Sequence, residues 1–487
     1  MSFLLVPQQV TATTAIVWVG AIDENVDAKS VKLEFGGDEG GQEIELDATG
    51  WREWRSYRPE DRGSYLPWDW VLAASPPRIR TLYYRRCEIK SLEPRTSYSL
   101  RLWVDGQAVA GLEKHLREGR VTTLPTALPT KEEKPFTLLL GSCFYGPEDP
   151  DGMVGMTYHY IPERERPDVK VLCGDQVYLD NPWRETTLDW YQAFRAPGLF
   201  RAKLFKKYED NWKQVRSEDA GFRQLLKDGA NYFCSDDHEY WNNAPDFGGV
   251  GLVNTLTPRQ RTWWFEQATD LFRAFQFDSE PPSSLIRFEV DPLSVCVADT
   301  RINREPKGKR FMRDDDLEAV GRWIRELNGP GVLVVGQLVL AKKTEIRSFD
   351  RGLPDYERQY ERLIEHIKSS PHSIVVLTGD VHFGRVAHGE LRPGSENKFV
   401  EVISSPMQAV LDGKGRPLFG TYKEPPTEHF SKLRSAKAAD GQNHFATIEF
   451  SLEKGDRVNM KVKYWPILRP EDEVPPRPQK ALETILP

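Results

Sequence analysis

The 487-residue sequence has few cysteines, no long apolar run and little net charge. Its cysteines are odd in number and widely spaced, which excludes a dense disulfide framework and favours reduced thiols. No segment approaches the roughly 20 apolar residues of a membrane-spanning helix, so we predict no transmembrane segment. A formal charge of −7 is too small to favour a nucleic-acid-binding surface.

The amino terminus also lacks the features of a signal peptide. The segment MSFLLVPQQVTATTAIVWVG has no basic start, no long apolar stretch and no small-residue cleavage site, and it alternates like a strand. We therefore predict a cytoplasmic protein, and a mature exported form whose signal was trimmed stays open. The sequence does not determine the oligomeric state.

The length and the change of pattern along the chain predict more than one domain. Residues 1–128 contain short β-segments separated by polar, Gly or Pro connections, which predict a small β-sandwich. Residues 51–80 fit this pattern poorly and are interpreted as a loop insertion. The segment LPTALPTKEEKP, Leu124 to Pro135, is the best candidate for a linker.

One part of the amino-terminal region resembles a known domain. In LEPRTSYSLRLWVDG, Leu92, Pro94, Thr96 and Tyr98 follow the pattern of the closing strands of a fibronectin type III domain, and REGRVTTLP continues it. The resemblance implies a fibronectin type III-like sandwich.

Residues 129–465 have a different pattern. Apolar runs of strand length, such as VKVLCGDQ and SIVVLTGD, lie on either side of amphipathic stretches that predict helices, Trp190 to Leu226 and Tyr356 to Lys368. Apolar strands that alternate with helices indicate an α/β domain whose sheet is covered on both faces. Residues 466–487 are rich in proline and charge and are expected to form a tail.

Polar side chains gather where the apolar strands end. Because ligands of layered α/β domains bind outside the carboxyl ends of strands, we expect these side chains to face one space. The candidates are Cys143, Asp175, Tyr178, Asp237, His238, Arg301, Asp380 and His382.

The stretch FCSDDHEYWNN, Phe233 to Asn243, places two adjacent aspartates directly after an apolar strand. Neighbouring carboxylates in an apolar setting need cations or hydrogen-bond donors to stay charged. We therefore predict that this stretch supplies metal ligands and one acid or base.

The motifs GSC, GDQVYLD, DDHEYWNN, VADTR and GDVHFG, in this order, resemble the alkaline phosphatase D (PhoD)-like family of the calcineurin-like metallophosphatase superfamily. The resemblance covers residues from about 130 to 450, and that family also carries a small β-domain in front. It implies a layered metallophosphatase core of central mixed β-sheets flanked by helices. It also implies a metal-dependent phosphodiesterase or phosphomonoesterase that acts on a small-molecule phosphate ester.

The resemblance further implies a first metal site made of Asp175, Tyr178 and His382, with Cys143 at the position of the family's cysteine. A tyrosinate and a thiolate on one ion favour Fe³⁺.

The implied second site shares Asp175 as a bridging ligand and adds Asp237 and Asp380. A site made only of oxygen ligands suits Ca²⁺ or another hard cation better than Zn²⁺, and another divalent cation such as Mn²⁺ or Zn²⁺ is the alternative.

Catalytic roles follow from the same resemblance. His238 would donate a proton to the leaving group, and Arg301 would bind the non-bridging phosphate oxygens. Glu239, Asn242 and Asn243 would orient His238 or support the metal ligands from behind.

Some candidates have a structural alternative. Arg301 could instead pair with Asp299 or Asp236, and Asp180 and Trp183 are interpreted as loop packing near the mouth of the site. The cysteines inside strands are interpreted as small buried hydrophobic residues: Cys173, Cys234 and Cys296. The histidines without a motif are interpreted as solvated or core residues: His159, His388 and His444. For the whole chain, the alternative function is a non-catalytic binding protein with a vestigial metal site.

Overall fold

The computed structural model describes most of the chain. The described residues are 2–37, 40–58, 79–107, 110–181, 196–249, 252–277, 279, 283–344, 351–408, 423–439, 441–453, 457–472 and 475–487. Trp183, the start of the predicted helical stretch before 196, and residues 59–78 of the predicted loop insertion lie outside them.

The described part is a mixed α/β structure and is mostly sheet. Its strands are β1 Ser2–Val10, β2 Ala15–Ile22, β3 Val31–Gly37, β4 Gly40–Glu45, β5 Arg52–Arg55, β6 Thr81–Ile89, β7 Ser97–Val104, β8 Glu118–Thr122, β9 Phe136–Gly141, β10 Val169–Cys173, β11 Ala230–Cys234, β12 Leu285–Val290, β13 Leu293–Ala298, β14 Gly331–Val334, β15 Ile374–Thr378, β16 Gly384–Glu390, β17 Lys398–Ile403, β18 Ser431–Ala438, β19 His444–Leu452, β20 Val458–Pro466 and β21 Gln479–Leu486.

The α-helices of the described part are fewer. They are α1 Lys114–Arg117, α2 Met153–His159, α3 Pro197–Trp212, α4 Phe222–Leu226, α5 Pro258–Phe275, α6 Asp314–Arg325 and α7 Glu357–Lys368. The helix predicted over Tyr356 to Lys368 is confirmed by α7. Among the described residues, no helix combines the length and the apolar character needed to cross a membrane.

Two antiparallel sheets of four strands form the amino-terminal part, in the orders β1-β2-β6-β5 and β4-β3-β7-β8. Strand β5 lies inside the predicted loop insertion and pairs with β6, so residues 52–55 belong to a sheet. Buried and exposed side chains alternate in this strand, as is typical of a strand with one face on the core: Trp54 is buried, and its neighbours Glu53 and Arg55 are exposed.

This amino-terminal part packs directly on the rest of the chain. The indole nitrogen of Trp18 donates to the carbonyl of Ala274 in α5 at 2.7 Å. The hydroxyl of Tyr232 in β11 donates to the carbonyl of Val10 at 3.0 Å, and Asn231 donates its side-chain amide to the carbonyl of Pro7 at 2.7 Å. Buried polar contacts therefore join the two parts.

Two larger mixed sheets form the remainder. One has six strands in the order β11-β10-β9-β19-β20-β21, with β9, β10 and β11 parallel. The other has seven strands in the order β12-β13-β14-β15-β17-β16-β18, with β13, β14, β15 and β17 parallel. The last strand, β21, lies within the predicted tail at 466–487 and pairs with β20. No proline lies between Gln479 and Leu486, so these residues can complete a ladder.

Alternating side chains show how the seven-stranded sheet is covered. In β13, Val295 and Val297 belong to the core shared with the six-stranded sheet, whereas Cys296 and Ala298 belong to a second core formed with α6 and α7. The thiol of Cys173 at the end of β10 also lies 2.9 Å from the carbonyl oxygen of Val335, the residue that follows β14. The carboxyl ends of parallel strands from both sheets therefore meet.

Candidate metal centre

Strand-end residues form two overlapping groups of possible metal ligands. In one group, ligating atoms of Asp175, Asp237 and His238 all lie within 4.8 Å of one another. In the other, oxygens of Asp236, Asp237 and Asp380 do so. Asp237 belongs to both groups, so the structure brings together three of the predicted ligands, Asp175, Asp237 and Asp380. It adds Asp236, which lies in the stretch predicted to supply metal ligands but was assigned to neither metal site.

Two glycines permit this close approach of loops. A Cβ atom on Gly174, whose φ is +90°, would lie 2.6 Å from Cβ of Asp236. A Cβ atom on Gly379 would lie 2.4 Å from Cβ of Ser142. Each glycine precedes a predicted aspartate ligand, so the Gly-Asp pairs in the motifs have a steric reason.

Several site residues have left-handed backbone conformations. Positive φ angles are unfavourable for side chains other than glycine, and they concentrate at functional sites. Among the described non-glycine residues with positive φ, five belong to this centre: Cys143 (56°), Asp175 (58°), Asn243 (69°), Asp380 (70°) and His382 (55°). The loops are therefore bent sharply where the predicted ligands lie.

Cys143 lies inside the centre. Its sulfur is 3.4 Å from Oδ2 of Asp175 and 3.4 Å from the carbonyl oxygen of Asp380, and the Ser405 hydroxyl donates to it at 3.3 Å. Burial, together with the charges of Asp175 and Asp380, raises the pKa of this thiol well above its ordinary value. A thiolate here needs a cation, which fits a metal ligand better than an exposed nucleophile.

Tyr178 packs between aromatic rings beside Cys143. Its ring contacts Tyr145 edge to face with centroids 5.3 Å apart, and it stacks on His238 at 4.2 Å. The phenol oxygen is buried and forms no hydrogen bond of ordinary geometry with a described residue, and burial together with the neighbouring Cys143 raises its pKa. Since buried hydroxyls normally have partners, this oxygen is a donor atom suited to a metal ion.

His382 is placed differently from the other predicted ligands. Its backbone amide donates to the Ser405 hydroxyl at 3.0 Å, which ties it to the loop beneath Cys143. Its imidazole belongs to neither of the two ligand groups found among the described residues. The ligand role of His382 therefore stays a prediction.

The carboxylates of the centre repel one another when they are charged. Burial raises the pKa of Asp175 well above its ordinary value, and the charges of Asp237, Asp236 and Glu239 raise it further, while His238 opposes the shift. Without cations such a cluster holds protons, and a bound metal would displace them. The donor set of carboxylates, phenol and thiol therefore fits bound metal ions.

Asp180 holds His238. Nδ1 of His238 lies 2.7 Å from Oδ1 of Asp180, and the amide of Asn242 donates to Oδ2 at 2.8 Å. Burial lowers the pKa of His238, but the charges of Asp180, Asp237 and Asp175 outweigh it and the pKa is raised well above the ordinary value. Interpreting Asp180 as loop packing was wrong, because position alone does not show where a carboxylate points.

Glu239 and Asn243 hold the loops of the centre through hydrogen bonds that involve backbone amides. Glu239 is fully buried and accepts from the amides of Asp175, Gln176, Val177 and Asp236, at 2.8, 2.7, 3.2 and 2.9 Å. Burial raises its pKa to about 7, while these donors favour the carboxylate form. The amide of Asn243 donates to Oδ2 of Asp237 at 2.8 Å. The spacing of Asp236 and Glu239, typical of a capping box, is the sequence signal that could have indicated this role.

Arg301 is completely buried and makes structural contacts. Its Nε donates to Oδ1 of Asp236 at 2.7 Å, and the guanidinium also contacts the Ala244 carbonyl at 2.5 Å. Asp299 accepts from the amides of Arg301 and Ile302, each at 2.8 Å. Arg301 therefore forms an ion pair with Asp236. This contact and the complete burial of the side chain favour a structural role for Arg301 over phosphate binding.

The remaining candidates lie in other settings. All five cysteines are free and buried, as the interpretation of those inside strands requires. His444 is fully buried, His388 is partly buried, and the side chain of His159 is 47% exposed.

Comparisons with known proteins leave the family of the chain unassigned. No family model matches it, and no curated protein matches it significantly. Among solved structures, it is similar to the sensor domain of the anti-sigma factor RsgI4 in Pseudobacteroides cellulosolvens, with 12% identity and a TM-score of 0.15. That match covers 26% of this chain and 94% of the other, and so slight a likeness carries no argument about fold or function.

Proposed function

We propose that the chain is a metal-dependent phosphoric ester hydrolase of the PhoD-like type, with a layered metallophosphatase core. The observation that carries the proposal is the convergence at strand ends of the buried carboxylates of Asp175, Asp236 and Asp237 with the partly buried carboxylate of Asp380. So many carboxylates in one buried space are stable only with protons or cations. The buried phenol of Tyr178, beside Cys143, supplies a further donor atom.

Two neighbouring metal sites follow from this donor set. Asp175, Tyr178 and Cys143, with His382 as the predicted fourth ligand, would hold Fe³⁺. Asp175, Asp237 and Asp380 would hold Ca²⁺ or another divalent cation such as Mn²⁺ or Zn²⁺. When bound, two adjacent cations would polarise the phosphoryl group and supply a deprotonated water at neutral pH.

His238 supplies the proton for the leaving group in this proposal. Its Nδ1 is held by Asp180, so Nε2 is the nitrogen that can donate to the leaving oxygen. Stacking on Tyr178 fixes the plane of the ring beside the metal ligands. Hydrolysis of a phosphodiester or phosphomonoester would depend most on this proton when the ester has a poor leaving group.

Elemental analysis of the purified protein combined with hydrolysis of nitrophenyl phosphate esters tests the proposal. We expect bound metal in stoichiometric amounts and turnover that a chelator abolishes. Asp175→Ala should lose both metals and all turnover, because Asp175 is the shared ligand. Asp105→Asn, which changes an exposed aspartate directly after β7, is the control and should keep both metals and turnover.

A non-catalytic binding protein with a vestigial metal site is the competing function. It predicts neither stoichiometric metal nor turnover of any ester. That result in a folded protein would overturn the hydrolase proposal. Retention of both metals in Asp175→Ala would overturn only the bridging role.

A further inference from the structure

A cleft of about 200 Å³ adjoins the metal centre and is not used by the proposed mechanism. One wall is the loop that carries the predicted ligands, represented by Val177, Tyr178 and Asn181. The other wall is α3. Tyr178 therefore borders both the cleft and the metal centre.

The wall formed by α3 is rich in lysine. Lys203, Lys206 and Lys207 line the cleft together with Asp210, at a spacing that places all four on one helix face. Their charges sum to an excess of positive charge, although the whole chain carries −7. The metal centre beside it is acidic, so the positive charge is local to the cleft.

The opposite face of α3 fixes the position of these lysines. Phe205, Tyr208 and Trp212 all pack against Phe275 of α5, with ring centroids 5.8, 4.9 and 5.6 Å apart. A helix held by buried aromatic rings presents its polar face at a constant distance from the loop. The lysine backbone positions are therefore preorganised.

The ion pair of Lys206 is one that an anion could replace. Nζ of Lys206 lies 2.7 Å from Oδ1 of Asp210, but both side chains are about 60% exposed, and such a pair contributes little. The ammonium group of Lys207 donates to the carbonyl of Asn181, which joins α3 to the loop of the metal centre. A phosphate-like group could replace Asp210 as the partner of Lys206 at small cost.

We propose that this cleft binds a second anionic group of the substrate. The preferred substrates are then phosphate esters that carry, beyond the phosphorus attacked at the metal centre, another phosphate or phosphonate-like group. This inference rests on the proposed function and specifies its substrate class. No change in the chemical step is involved, because the cleft acts only by binding.

A matched pair of diesters tests the inference. One substrate is nitrophenyl propyl phosphate, and the other carries a terminal phosphonate on the propyl chain. Both release the same nitrophenolate, so the ratio of their kcat/KM values reports recognition of the second anion. We expect the metal-loaded protein to prefer the phosphonate substrate by roughly tenfold, as one good charge-assisted contact provides. Added salt should reduce the ratio.

The variant Lys203→Met/Lys206→Met should bring the ratio close to one. Lys131→Met is the matched control, because Lys131 is 56% exposed and pairs with Glu453 at 2.7 Å, as Lys206 pairs with Asp210. Lys131 precedes β9, whereas the centre lies beyond the carboxyl end of that strand. The control should keep the wild-type ratio. A wild-type ratio of one, or an unchanged ratio in the double variant, would overturn the inference.

A binding measurement separates this inference from the proposed function. Calorimetric titration with propane bisphosphonate and with propylphosphonate needs no turnover. Tighter binding of the bisphosphonate that the double variant loses would support the cleft even if neither diester is hydrolysed. Absence of hydrolysis would then count against the hydrolase proposal alone. Equal affinity of wild type and double variant for the bisphosphonate would count against the cleft.

Discussion

His238 and Asp180 are joined by a hydrogen bond of 2.7 Å between Nδ1 and Oδ1, and the amide of Asn242 holds the other carboxylate oxygen. The bond orients the imidazole that we propose as the proton donor. Asp180→Asn cannot accept both bonds, because one of its two side-chain atoms is an amide nitrogen. Loss of this hydrogen bond should therefore slow the hydrolysis of esters with poor leaving groups more than that of activated esters.

Asp180→Asn should lower kcat by roughly 10- to 100-fold for esters with poor leaving groups, since general acid catalysis contributes about 100-fold or more. The loss should be much smaller for nitrophenyl esters, which need little help from an acid. His238→Ala should show the same dependence on the leaving group with metal content near normal. Loss of metal in His238→Ala would instead identify His238 as a ligand, as its place beside Asp175 and Asp237 permits.

Glu239→Gln should destabilise the protein and weaken its metal binding. The four amides that converge on Glu239 need two acceptor oxygens, and glutamine turns one of them into a donor. We expect a loss of about 2 kcal/mol or more in the free energy of unfolding, because buried donors lose their acceptor. Urea unfolding with a chelator present measures it. Glu133→Gln, at an exposed carboxylate that accepts from the Thr130 amide, is the control and should cost less.

Tyr178→Phe tests the identity of the first metal. If the Tyr178 phenolate and the Cys143 thiolate bind Fe³⁺, the purified protein should absorb visible light, which neither Ca²⁺ nor Zn²⁺ centres do. The substitution keeps the ring that packs on Tyr145 and His238, so the fold should persist while the band shifts or bleaches. Cys143→Ser should change the band differently, since it replaces sulfur with oxygen. A colourless, active protein that contains only zinc or manganese would eliminate iron.

Arg301→Lys separates a positioning role from phosphate binding. Lysine cannot bond Asp236 and the Ala244 carbonyl in the same way, so a buried carboxylate loses much of its partner. We expect about 3 kcal/mol less stability in urea unfolding, with KM for nitrophenyl esters nearly unchanged. A large rise in KM without loss of stability would restore Arg301 as a phosphate-binding residue.

His444→Asn should make the protein less sensitive to acid. His444 is fully buried, its Nδ1 bonds the Gln442 carbonyl at 2.7 Å, and burial lowers its pKa to about 4. The unfolded chain therefore binds a proton more tightly, so wild-type stability falls as the pH drops from about 6.5 to about 4. Asparagine keeps a donor for Gln442 and cannot be protonated. Between pH 7 and 4.5 the variant should lose about 2 kcal/mol less than wild type, and equal losses in denaturant unfolding would refute this.

The sequence indicates the location of the centre because strand ends follow a simple rule. Apolar runs mark β9, β10, β11 and β15, and the residues after parallel strands meet at one edge. Asp175, Asp237 and Asp380 accordingly come together, with Cys143 beside Asp175 and Asp380. The alternation of buried strands with helices, including the helix at Glu357–Lys368, follows from the same apolar patterns.

The details that sequence could not supply depend on side-chain direction. Nothing in GDQVYLD shows that Asp180 turns toward His238, because that direction is set by a loop closed through tertiary contacts. Likewise, the choice between Asp236 and phosphate for Arg301 depends on its complete burial. The strand β21 was missed because nearby prolines dominate the composition of a short segment that becomes ordered only by pairing with β20.

The hydrogen bonds from Trp18 to Ala274 and from Tyr232 to Val10 constrain the evolution of the chain. The first joins the amino-terminal sheets to α5, whose Phe275 packs against the lysine-bearing α3, and the second joins them to β11. Recombination that exchanged only the first 128 residues would leave buried indole and phenol groups facing foreign partners. The two parts are therefore expected to be inherited as a unit, with substitutions on one side of their contact compensated on the other.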